Sequence, residues 1–142
     1  MPQMTDSVIL KHSEITDKIL HAFYKRVYPA LGYGFLERIY RNAMVIALQS
    51  EGFKVDAESP IQVYFEGTLI GEYYADLLVE DKVIVELKAV DFLLKEHEAQ
   101  LLNYLRATQH EVGLLLNFGP KPEIRRMAFN NERKLSQTWR KA

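Results

Sequence analysis

Val83-Ile84-Val85-Glu86-Leu87-Lys88 reads as an apolar strand that abruptly carries two charges. Side chains alternate along a strand, so Glu86 and Lys88 share one face while Leu87 points into the core. Charges in so apolar a strand are costly unless paired or bound to a cation. An isolated Glu-x-Lys is most simply an edge-strand pair facing water. The preceding stretch changes that reading. Tyr73-Tyr74-Ala75-Asp76-Leu77-Leu78-Val79 is equally apolar and carries a single carboxylate. If the two strands form a hairpin, loop length decides whether the carboxylates meet. A two-residue loop would pair Asp76 with Val85 and turn Glu86 to the opposite face. A three-residue loop, Glu80-Asp81-Lys82, pairs Val79 with Val83 and sets Asp76 against Glu86 on one face. The prediction is a three-residue loop or an equivalent bulge.

Outward from this hairpin, the period-2 region starts at Phe53. Phe53 to Glu58, Ile61 to Phe65 and Leu69 to Val79 read as strands, with Glu66-Gly67 as a tight turn. Before them the period is helical. A first helix runs from an N-cap at Ser13 through Val27 and is interrupted by Pro29, Gly32 and Gly34. A second runs from about Phe35 to Glu51 and stops at Gly52. After the hairpin come a third helix over about Leu94 to Thr108, a strand from Val112 to Asn117 and a weaker strand from Ile124 to Phe129. The order α-α-β-β-β-β-α-β-β predicts an α/β (α+β) domain, a mixed β-sheet flanked by helices.

The whole of 1–142 reads as one domain, with 1–12 a loose N-terminal arm and 131–142 a basic C-terminal tail. There is no cysteine, hence no disulfide and no Cys-type metal site. The longest apolar run, Ala43 to Leu48, is too short to cross a membrane. With no leader-like pattern at Met1 to Thr5, the expectation is a cytoplasmic protein without a membrane partner. The net charge of -1 at first argues against nucleic acid. Resolved along the chain, residues 121–142 carry +5 and the other 120 carry -6. A basic flank beside an acidic, cation-holding body fits a phosphate-bearing partner; a merely solvated tail is the plainer alternative.

Two adjacent carboxylates repel, and one tends to stay protonated unless a divalent cation lies between them. Oxygen donors suit Mg²⁺ or Mn²⁺. A lysine two residues on can orient an attacking water. Asp76, Glu86 and Lys88 are thus a compact set for phosphodiester hydrolysis.

Asp76, nine residues, then Glu86-x-Lys88 resembles the PD-(D/E)xK nuclease superfamily, with Ala75 where the motif's proline would stand. Gly34-Phe35-Leu36-Glu37-Arg38-Ile39-Tyr40 is similar to the G-x-x-E-x-x-Y signature of a small prokaryotic family within it. The match extends through Gln100 to Leu105 and Gly113 to Gly119. The resemblance implies a restriction-endonuclease-like core. It implies metal ligation by Glu37, Asp76, Glu86 and the Leu87 carbonyl, with Lys88 as the catalytic lysine. Gln100 and Tyr104 resemble the Q-x-x-x-Y pair of exonuclease-like branches. At i, i+4 they share a helix face and could hold the scissile phosphate or the water. Tyr40, from the signature, joins them as a substrate-binding candidate.

The function expected is a Mg²⁺-dependent nuclease acting on DNA. The alternative is a non-catalytic nuclease-fold module in a larger nucleic-acid-processing assembly. One small domain has no recognition module, so specificity would come from a second copy or a protein partner. The histidines show no ligand spacing. His97 is expected to face solvent, and Asn117-Phe118-Gly119 to form a strand-ending turn.

Overall fold

Strand parity organises the molecule. The computed structural model describes residues 11–134. Helix α1 begins as Ser13–His21, passes through π-helical Ala22–Val27 and ends in the turn Tyr28–Leu31. Helix α2 is Glu37–Ser50 and α3 is Lys95–Ala107. The strands are β1 (Val55–Phe65), β2 (Thr68–Val79), β3 (Val83–Lys88), β4 (Val112–Phe118) and β5 (Pro122–Ala128). They form one five-stranded mixed sheet in the order β1-β2-β3-β4-β5. Only β3 and β4 run parallel, joined by the crossover through α3. This is the α+β class expected, consistent with a restriction-endonuclease-like core.

The faces of β3 divide the core in two. Val83, Val85 and Leu87 pack with Ile19, Phe23, Tyr40, Met44 and Leu48 of α1 and α2. Ile84 packs with Leu101, Tyr104 and Leu105 of α3. Glu86 and Lys88 share the parity of Ile84, so they too look toward α3. Gly113 on β4 permits the close seat of that helix, because a Cβ there would lie 2.8 Å from Leu101 Cδ1.

Several expected boundaries change. The two short strands on either side of Ser59-Pro60 are a single strand, β1. It lies at the sheet edge, where a proline's missing N–H leaves no rung unmade on the open side. Pro29 does not end α1 but sits at the start of its last turn, after the π-helical stretch. Left-handed His12 (φ 60°), not Ser13, occupies the cap position of α1. The expected tail begins packed rather than solvated. Lys134 is buried, with Nζ donating to the carbonyls of Thr108 and His110 at 2.8 Å each. The rest of that tail, and the arm before Lys11, lie outside the described residues. Among the described residues no helix is long and apolar enough to cross a membrane.

Candidate active site

The β2–β3 hairpin takes the register that parity required. Val79 pairs with Val83, Leu78 with Ile84 and Leu77 with Val85 across a three-residue loop. Glu80 and Asp81 make the turn in left-handed conformations, φ 55° and 56°. The next rung would be Asp76 with Glu86, and there the strands part. The carboxylates take over from the ladder. Glu86 Oε2 accepts the Asp76 N–H at 2.7 Å, and Asp76 Oδ2 accepts the Leu87 N–H at 2.8 Å. Each acid is thus fixed by the backbone of the other's strand.

This fork is strongly electrostatic. Burial raises the Asp76 pKa, opposed by the Leu87 N–H, Arg41 and Lys88. Glu86, only 5% exposed, is pushed up to about 8 by burial and then by the Asp76 charge. The Asp76 N–H and Lys88 oppose that rise, and Glu37 adds to it. Both shifts favour the neutral acid, the direction expected of neighbouring carboxylates.

Lys88 is half-buried, and its Nζ donates to Gln100 Oε1 at 3.1 Å. Gln100 Nε2 donates onward to the Tyr104 hydroxyl at 3.2 Å. The i, i+4 pair on α3 therefore meets the β3 lysine in one hydrogen-bonded row. The Tyr104 hydroxyl is pushed up to about 12, by burial first and then by Glu86 and Asp76.

Other expected members are placed differently. Glu37 lies exposed on the first turn of α2 and reaches the pair only through its charge. Among the described residues no three His, Asp or Glu side chains stand close enough to hold a metal ion. Tyr40 faces the core. It is fully buried, and its ring stacks on Phe118 at 4.0 Å. Its hydroxyl donates to the Gly32 carbonyl at 2.7 Å and accepts the Phe35 N–H at 3.2 Å. Tyr40 thus braces the loop that leads into Glu37, a structural task. His97 is not free either; its Nδ1 accepts the Leu94 N–H at 3.0 Å and caps α3.

One residue escaped the sequence reading, and another does more than the turn expected of it. Arg41 lies 3.7 Å from Asp76 Oδ1 and 3.6 Å from Glu58. Its spacing of four from Glu37 was the available signal. Buried Asn117 does more than end β4. Its side chain accepts the Val90 N–H and donates to the Val90 carbonyl and to Glu123, all at 3.0 Å. It clamps the segment that follows Lys88. A cavity of about 410 Å³ beside Gln62, Asp81 and His110 contains none of the predicted site residues.

The donor set suits a hard divalent cation. Asp76 and Glu86 supply two neighbouring carboxylates, and such a cation would relieve their mutual repulsion. The Leu87 backbone faces the same gap, since its N–H meets Asp76 and a strand residue presents N–H and C=O to one side. These are the residues that could hold Mg²⁺ or Mn²⁺.

Residues 13–127 match the family model of the PD-(D/E)XK nuclease superfamily. No curated protein matches the chain. Among solved structures, the crystal structure of SSO0001 is similar at a TM-score of 0.55 and 16% identity. The similarity covers 98% of this chain and 83% of that one, and at this identity it speaks for the fold alone.

Proposed function

The chain belongs to the PD-(D/E)XK nuclease superfamily, and from that premise we propose that it is a Mg²⁺- or Mn²⁺-dependent nuclease hydrolysing phosphodiester bonds in DNA. The observation that carries this reading is the fork itself. A buried carboxylate, Glu86, and a half-buried one, Asp76, each bonded to the other's strand, lie one strand residue from a lysine aligned by Gln100. We place the chain in the G-x-x-E-x-x-Y branch on Gly34, Glu37 and Tyr40.

In this reading Asp76, Glu86 and the Leu87 carbonyl hold the cation. When bound, it polarises the scissile phosphate and makes a nearby water more acidic. Lys88 Nζ orients the attacking water and offsets charge gathering on the phosphoryl oxygens. Gln100 keeps the ammonium pointed into the cleft. Tyr104, held protonated far above neutral pH, remains a hydrogen-bond donor toward the phosphate. Glu37 adds negative charge at the start of α2, favouring cation capture. Arg41, 3.7 Å from Asp76 Oδ1, favours the charged carboxylate that a ligand needs, against the burial that raises its pKa.

The test is cleavage of single- and double-stranded DNA and RNA with Mg²⁺, Mn²⁺ or EDTA. DNA should be cut only with metal, and Lys88→Ala and Asp76→Ala should each lower the rate at least about 100-fold. Activity that survives both substitutions would belong to a contaminant. Absent cleavage, Mn²⁺ calorimetry decides between enzyme and binding module. Mn²⁺ uptake lost in Asp76→Ala keeps the enzyme reading, and no uptake leaves the accessory module.

A further inference from the structure

The β1–β2 ribbon runs far beyond the sheet. Its strands pair from Val55↔Val79 out to Phe65↔Thr68, yet β2 meets β3 at only three rungs, Leu77 to Val79. The free part leans back over α3, where the Tyr73 and Tyr104 rings lie 5.6 Å apart, tilted at 42°. Between ribbon and helix is a cavity of about 220 Å³ lined by Val63, Tyr73, Asn103, Tyr104, Arg106 and Ala107. We propose that this cavity is a subsite for one unpaired nucleobase next to the scissile phosphate. The proposal rests on the nuclease reading of the fork.

Position is the first argument. Tyr104 forms one wall of the cavity, and its hydroxyl ends the row that starts at Lys88 Nζ. A chain whose phosphate lies at Lys88 has a base within reach of that wall. Shape and chemistry are the second. Tyr73 is 54% exposed, so a flat ring can stack on it. Arg106 Nη1 donates to Asn103 Oδ1 at 2.6 Å, which sets an amide and a guanidinium together at the rim. These are the groups that read base edges. Charge is the third. The ribbon, residues 55–79, contains five acidic side chains and no Lys, Arg or His. Such a ribbon repels a phosphate backbone but accepts an uncharged ring. A paired base cannot leave its duplex without cost, so the cavity selects single strands or frayed ends.

The experiment uses the full chain and a single-stranded oligothymidylate carrying one 2-aminopurine, whose fluorescence falls on stacking. In EDTA the wild type should quench it. Tyr73→Ala should bind about 5- to 100-fold more weakly and lose the quench. Tyr73→Phe should keep both, and Asn103→Ala, at an exposed position, should weaken binding without unfolding the protein. With Mn²⁺, Tyr73→Ala should raise KM on single strands more than it lowers kcat. An abasic nucleotide beside the cut should reproduce that effect in the wild type. Cleavage indifferent to Tyr73→Ala and to the abasic site overturns the subsite and leaves the nuclease. A quench that depends on Tyr73 without any cleavage supports the base site and hands the nuclease reading to the Mn²⁺ calorimetry. No quench in the wild type overturns the base site.

Discussion

Glu86 is the residue on which stability and chemistry meet. Its pKa is about 8 in the folded protein against an ordinary value near 4.5. Between those values the folded protein holds more protons than the unfolded chain, so stability falls as pH rises through the window. Below about 4.5 this contribution is fully present; above about 8 it is lost. Through Glu86, metal-free protein should therefore lose melting temperature from pH 5 to pH 8, while His12 and His110, whose pKa values burial lowers, pull the other way at the acidic end. Glu86→Gln, which cannot ionise, should flatten that dependence in thermal unfolding. Mn²⁺ should raise the melting temperature more at pH 8 than at pH 5 in the wild type, and should have no such effect in the variant. Asp76, Glu86 and Lys88 were legible because each stands out against apolar neighbours. Arg41 was not, since a charged residue on an amphipathic helix is ordinary until its partner is known.

At the scale of elements, parity was the reliable guide. Counting the loop at 80–82 was enough to place both carboxylates on one hairpin face, because a one-residue slip turns over every side chain. What parity could not reveal was edge status. Ser59-Pro60 looks like a break wherever both sides of a strand must pair, and it is tolerated because β1 has a neighbour on one side only. Tyr40, a substrate-binding candidate by its motif, is buried against Phe118. A family signature marks a residue without saying whether it touches substrate or braces the loop beside it. Packing between elements is also testable. Gly113→Ala would place a methyl 2.8 Å from Leu101 Cδ1, and α3 must shift to admit it. Urea unfolding should show a loss of about 1–3 kcal/mol. The rate should also fall in the folded variant, because α3 carries Gln100.

Over the described residues, the basic C-terminal end read from the sequence is not an open surface. Arg125 lies 3.2 Å from Glu98, Arg126 lies 3.8 Å from Asp17, and Lys134 is buried. Much of the C-terminal positive charge is spent within the fold, something a tally along the chain has no means of showing. Binding of DNA in EDTA should therefore depend weakly on salt. A plot of log affinity against log salt should have a slope smaller in magnitude than about 3, where the seven basic groups of residues 121–142, if all free, would give about 6.

The fork has one more consequence, for observation rather than catalysis. The amide protons of Asp76 and Leu87 are each held by a carboxylate that a cation would claim. They are thus built-in reporters of occupancy. On titration with a diamagnetic ion their resonances should move first, and together. Their exchange with deuterium should quicken or slow according to how far the carboxylates swing away from the backbone.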